Sequence, residues 1–195
     1  MHNKKFIMGE CSIYYLHEYY PTRFLEHDGK SGDILCLKLG YRYPVKMYTD
    51  MIAKSLFYDT GSNGKDYSSL AICIIPSHEA NKYCKGLLEI SGNLSKKYGL
   101  KDFSTCLVRH SDHKKLTSNG IRSIKSHLDT LSFNSEFDIH DKHILLIDDV
   151  TTTGNSMLAC REILIKNGAR DVYCLALAKT CRGTLPSEIV FDGVM

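Results

Sequence analysis

Residues 144–156 read Ile144-Leu145-Leu146-Ile147-Asp148-Asp149-Val150-Thr151-Thr152-Thr153-Gly154-Asn155-Ser156. The run Ile144 to Ile147 is continuously apolar and too short for a helix of its own, so it reads as a strand buried on both faces of a parallel sheet. Two carboxylates follow it, and then a loop of threonines, glycine, asparagine and serine. A helical pattern comes next: Met157 and Leu158 recur as Leu164 and Ile165, and Asn167-Gly168 supplies a stop. A helix N-terminus presents unpaired N–H groups and the positive end of its dipole, which suits an anion and phosphate above all. Gly154 permits close backbone approach, and the hydroxyls add donors without charge. A carboxylate pair at a strand end accepts hydrogen bonds from a vicinal diol, or faces a metal or a developing positive charge. Phosphate at one end and diol at the other describe a ribose 5-phosphate.

The rest of the composition narrows the setting. At 195 residues the chain reads as one domain, long enough to bury roughly 70% of its unfolded surface. The net charge of +3 is too mild to argue for nucleic acid by itself. No apolar run approaches a membrane span, and Met1 to Phe6 does not open a signal peptide, so no membrane partner and a cytoplasmic location are expected. The eight cysteines are scattered, several within apolar runs, and read as reduced, buried thiols. A zinc set of Cys11, His17, His27 and Cys36 fits no standard spacing.

Working outward, residues 10–20 are aromatic-rich and predict a strand ended by Pro21. His27 to Asp33 is turn-like, and Ile34 to Leu39 is open between strand and helix start. Pro44 opens a helix in which Val45, Tyr48, Ile52 and Leu56 recur. Residues 1–66 read as an N-terminal cap or as the first layer of the domain, and 67–195 as its core. Leu70 to Ile75 is a second buried strand. Pro76-Ser77-His78-Glu79 then turns the chain into a helix with the face Tyr83, Leu87, Ile90, Leu94 and Tyr98, which Gly86 and Gly92 weaken. Thr105 to Val108 predicts a short strand. The loop after it carries Arg109, Lys114, Lys115, Arg122 and Lys125 against the single acid Asp112, the clearest basic patch in the chain. Ile121 to Leu128 suggests a short helix, 132–143 a polar connection, Val172 to Ala178 another buried strand, and 189–191 an edge strand.

The 144–156 stretch resembles the phosphoribosyl-pyrophosphate (PRPP) motif of type I phosphoribosyltransferases. It matches neither the P-loop, which needs a Lys before Ser156, nor a G-x-G-x-x-G loop. The order of strand, Pro76-Ser77-His78 turn, helix, strand, basic loop, helix, PRPP motif, helix, and the strand ending in Ala176-Leu177-Ala178-Lys179-Thr180 is most similar to the ComF-like branch of that family. The resemblance covers residues 70–181, and 34–58 weakly. It departs from the branch in lacking a four-cysteine zinc ribbon and in placing Lys114-Lys115 and histidines where arginine and proline are usual.

The resemblance implies an α/β fold, a mainly parallel sheet flanked by helices with a flexible hood loop. It implies transfer of ribose 5-phosphate from PRPP to a base or amine acceptor, with Mg²⁺ as cofactor and release of pyrophosphate. Thr152, Thr153, Gly154, Asn155 and Ser156 would hold the 5-phosphate, and Pro76, Ser77 and His78 the pyrophosphate. Asp148 and Asp149 would face the ribose hydroxyls, C1 and, indirectly, the metal. Arg109, Lys114 and Lys115 would act from the hood, because a basic loop beside a polyphosphate site can close over it and exclude water. The branch is linked to DNA uptake. Two other functions fit the same residues. One is a non-catalytic PRPP or nucleotide sensor acting on a protein partner. The other is a single-stranded DNA accessory protein using the basic patch and the N-terminal tyrosines. Acceptor identity is unreadable, and a homodimer is simply the commonest assembly.

Overall fold

A computed structural model describes residues 4–8, 11–21, 29–57, 69–112 and 123–181. Among these, the elements run β1 (Lys4–Met8), β2 (Cys11–Tyr19), α1 (Gly29–Lys38), α2 (Arg42–Phe57), β3 (Leu70–Ile74), α3 (Lys85–Tyr98), β4 (Lys101–Asp102), β5 (Leu107–Arg109), α4 (Ile124–Leu128), β6 (Leu131–Phe133), β7 (His143–Thr151), α5 (Asn155–Lys166) and β8 (Asp171–Thr180). Six strands form one sheet in the order β1-β2-β8-β7-β3-β4. All neighbours in it are parallel except β1, which runs antiparallel along β2. The expected α/β architecture with a mainly parallel central sheet is therefore present.

Side-chain alternation along the buried strands explains the layering. On β7, Ile144 and Leu146 join Ala71, Cys73, Cys174 and Ala176 on one face, under α5 residues Met157, Cys160 and Leu164. Leu145 and Ile147 face the other way with Ile72, Ile74, Leu175 and Leu177, under Tyr48 and Ile52 of α2 and Leu87, Ile90 and Leu94 of α3. Both faces being covered, the central strands carry continuous apolar runs. A separate antiparallel ribbon, β5–β6, sits with α4 beside α5.

Several sequence expectations need correction. Gly29 to Asp33 is not a turn but the first part of α1, which also settles Ile34 to Leu39 as helix up to Lys38. Burial decides it, since Ile34 and Leu37 are fully buried against the sheet. Helix α3 begins at Lys85, and Tyr83 precedes it, its hydroxyl donating to the Leu107 carbonyl at 2.8 Å. Gly86 is not a weak point: a Cβ there would lie 2.3 Å from the Leu37 carbonyl oxygen, so the glycine is what lets α1 cross α3. The connection over 132–143 contains β6, and β1 was not foreseen. The predicted loop over 60–65, the turn at 27–28 and the edge strand at 189–191 lie outside the described residues.

Candidate active site

The parallel strands β3 and β7 lie side by side and end at the same edge of the sheet, where open α/β sheets present their ligand crevice. A cavity of about 470 Å³ opens there. Its lining includes Pro76, Ser77 and His78 after β3, Asp148 and Asp149 on β7, Ser156 on α5 and Arg109 on β5. Seven residues named from sequence for three roles thus share one space.

The acids are still within the strand. β7 runs on to Thr151, with Asp148 opposite Ala176 and Thr151 opposite Lys179 of β8. The polar loop is accordingly short. Gly154 caps α5 with φ of +87°, a left-handed conformation in which an L side chain is strained. As a glycine, this cap offers no side chain to the first turn of the helix. Thr152 and Thr153 are exposed, while Gly154 and Asn155 are buried. The Thr152 and Thr180 hydroxyls lie 3.0 Å apart, tying the loop to the end of β8.

The two carboxylates differ. Asp148 accepts from the Asp149 N–H at 2.9 Å, and Asp149 accepts from the Val150 N–H at 2.6 Å. Burial, and then the neighbouring Asp149 charge, push the Asp148 carboxyl well above the ordinary range. Asp149 is paired with Lys38 of α1, Nζ to Oδ2 3.2 Å. Burial pulls the Lys38 ammonium down, but the charge and hydrogen bond of Asp149, with Asp148 behind it, outweigh that and raise its pKa.

The corner after β3 is held from a distance. Ser77 N–H donates to the Lys82 carbonyl at 2.8 Å, closing the turn, and Asn81 N–H donates to the Arg109 carbonyl at 2.9 Å. Ala80 N–H donates to Asp112 Oδ1 at 2.8 Å, and Glu79 pairs with Lys82. Arg109 is only 2% exposed. Its Nε donates to the Ser77 carbonyl at 2.6 Å and its Nη1 to the Thr130 hydroxyl. The N-terminal end of α3, at Cys84, also borders the cavity, as does Ser156 in the first turn of α5, so two helix N-termini reach the space.

A family model of the phosphoribosyl transferase domain matches residues 88–194, more than half of the chain. The chain belongs to that family. No curated protein matches it in sequence. The crystal structure of phosphoribosylpyrophosphate synthetase from Mycobacterium smegmatis is similar at 15% identity and a TM-score of 0.39, covering 70% of this chain. The chain spans about a third of that protein's length, the match covering 33% of it.

Within this phosphoribosyltransferase domain, some expected residues fall elsewhere. Lys114 and Lys115 lie outside the described residues. Arg109 is on a strand and turned inward, so it belongs neither to a hood loop nor to an exposed basic patch. The N-terminal tyrosines Tyr14, Tyr15 and Tyr19 are partly buried and pack against the two cores. His17 is no zinc ligand as placed, one ring nitrogen meeting the Tyr48 hydroxyl at 2.6 Å and the other the Glu18 carbonyl at 2.8 Å.

Sequence reasoning missed Lys38, Lys82, Cys84 and His127, which also line the cavity. For Lys38 a signal existed. Gly40, with φ of +78°, follows it as a helix C-terminal glycine does, its N–H donating to the Leu37 carbonyl at 2.8 Å. Among the described residues no helix is long and apolar enough to cross a membrane.

Proposed function

We propose that this chain is a PRPP-dependent phosphoribosyltransferase of the ComF-like branch that joins ribose 5-phosphate to a nitrogen nucleophile. The observation that carries the reading is the shared cavity, in which the acid pair and α5 N-terminus meet the Pro76–His78 turn. The 5-phosphate sits on Thr152, Thr153, Gly154, Asn155 and Ser156, where helix-end N–H groups and hydroxyls receive it. Asp148 and Asp149 accept from the ribose 2- and 3-hydroxyls and offset the positive charge that grows at C1. Pro76, Ser77 and His78 receive the pyrophosphate. The C1–O bond to pyrophosphate breaks with its electron pair leaving on oxygen, the nitrogen–C1 bond forms, and the nitrogen gives up a proton.

Arg109 acts as a positioning residue, carrying the Ser77 carbonyl and through it the turn. Lys114 and Lys115 close the site as the hood. The described part of residues 1–66 is a layer of the same domain, since β2 pairs with β8 and α1 reaches the acid pair. Magnesium suits this donor set. No cluster of three metal-binding side chains exists among the described residues, and Mg²⁺ is commonly held by one or two carboxylates together with substrate phosphates. Asp148 and Asp149 would hold it indirectly, and bound there it would neutralise polyphosphate charge.

Titration calorimetry with PRPP, with and without Mg²⁺, tests the reading on wild type and on Asp148→Ala/Asp149→Ala. Micromolar binding that disappears in the double variant is expected. A folded wild type that binds no PRPP would leave the motif as scaffold. Branch membership carries an expectation of a role in DNA uptake, tested by transformation efficiency of a deletion strain in a naturally competent host.

A further inference from the structure

The ion pair between Lys38 and Asp149 joins the N-terminal helix α1 to the acid pair, and its placement is built in. Ile34 and Leu37 of α1 are fully buried, the Leu37 and Cys36 carbonyls are capped by the N–H groups of Gly40 and Tyr41, and the crossing over α3 is so close that Gly86 cannot carry a Cβ. The helix end is held firmly. The ammonium it delivers is on a flexible stem and its side chain is 48% exposed, so it can move while α1 does not.

We propose, resting on the phosphoribosyltransferase reading above, that Lys38 is a substrate-binding residue with two positions. In the empty site it neutralises Asp149. In the loaded site it turns across the same cavity to the pyrophosphate group held by the Pro76–His78 turn. Two physical arguments support the exchange. A polyphosphate brings more negative charge into the cavity than the single carboxylate of Asp149, and it competes for the ammonium. An ammonium left on Asp149 would oppose the positive charge developing at C1. On the leaving group the same charge stabilises what the transition state creates, which is the arrangement that accelerates a reaction. The exchange also frees the Asp149 oxygen that a ribose hydroxyl needs.

Three probes separate this from a merely structural pair: PRPP with Mg²⁺, inorganic pyrophosphate with Mg²⁺, and ribose 5-phosphate, each titrated calorimetrically into the full chain. Lys38→Met should lose about tenfold in pyrophosphate and PRPP affinity, the worth of one charge-assisted hydrogen bond, while ribose 5-phosphate binds as well or better. Lys38→Arg, which keeps the charge, should restore most of the pyrophosphate affinity. Gly86→Ala, which pushes Leu37 and with it the end of α1 off α3, should lower pyrophosphate affinity in the same direction. Unchanged pyrophosphate binding in Lys38→Met, with PRPP and ribose 5-phosphate weakened together, would overturn the proposal and leave Lys38 as a support for Asp149. A wild type that binds none of the probes would overturn the parent reading and this one with it. A wild type that binds PRPP while Lys38→Met matches it on all three would overturn this one alone.

Discussion

The corner after β7 and the corner after β3 lie side by side at one edge of the sheet, and they are held in opposite ways. After β7, the two acids bond the next N–H groups along the chain, and Gly154 turns directly into α5. The turn itself is built within a dozen residues, and Lys38 and Thr180 reach it from outside through the side chains of Asp149 and Thr152. After β3, the turn is shaped by Arg109, Asp112 and, through Arg109, Thr130, which come from β5, the loop behind it and the approach to β6. The first corner is a local motif and the second an assembly. A local motif can spend its residues on ligand chemistry, whereas an assembly must hold buried polar groups in place to exist at all.

The comparison breaks most sharply on a pair of substitutions. Asp149→Ala should cut pyrophosphate release from PRPP by about 10²–10³, with thermal stability nearly unchanged. Asp149 sits at the cavity wall, where the half-exposed Lys38 and the neighbouring Val150 N–H lose a partner. Arg109→Ala should do the reverse first. It orphans the Ser77 carbonyl beneath a buried side chain and removes a donor from the Thr130 hydroxyl, which keeps its bond to the His127 carbonyl, costing about 3 kcal/mol in urea denaturation. Arg109→Lys should recover little, because one ammonium cannot span two partners in different directions as the planar guanidinium does. Equal effects of the two alanine variants on stability would remove the distinction between the corners.

The same contrast governs what could be read from residues alone. The strands at 70–75, 144–147 and 172–178 were legible because both faces of a parallel sheet are covered, which leaves an unmistakable apolar run. The acid pair and Thr-Gly-Ser loop were legible because the site they form is contiguous. Helix α1 was not, since Gly29, Ser31, Gly32 and Asp33 all favour turns and only the burial of Ile34 and Leu37 overrides them. The inward turn of Arg109 was illegible for a related reason. Its partner Thr130 is 21 residues away, and nothing near Arg109 in sequence announces a buried acceptor. Gly86 looked like a helix defect because its reason, the Leu37 carbonyl, lies on another helix.

A smaller effect sharpens the comparison at the loop itself. Gly154→Ala forces a Cβ onto a residue at φ of +87°, which costs about 1–2 kcal/mol. The strain is local, so PRPP and ribose 5-phosphate affinity should fall together, while inorganic pyrophosphate, bound at the other corner, should be unaffected. Loss of pyrophosphate binding as well would mean that the corners are not separable.

The smallest expected effect concerns Asp148, where the locally built corner is at odds with its own stability. Burial and the neighbouring Asp149 raise its pKa in the folded protein. The folded chain therefore keeps this proton to higher pH than the unfolded chain, whose aspartates titrate near 3.9. Between those two values the folded state binds more protons, so the stability contribution of Asp148 falls as pH rises and is most unfavourable above the folded pKa. Asp148→Asn keeps the shape and the acceptor for the Asp149 N–H but cannot ionise. Thermal melts of the two proteins should coincide near the unfolded pKa and separate as pH rises, with the variant more stable by a few degrees. The variant should turn PRPP over more slowly, since its amide cannot offset the positive charge that grows at C1. A wild type that gained stability relative to Asp148→Asn with rising pH would show that the carboxylate is welcome where it lies. The half-buried acid would then be a supported element of the fold instead of a charge held ready for its substrate.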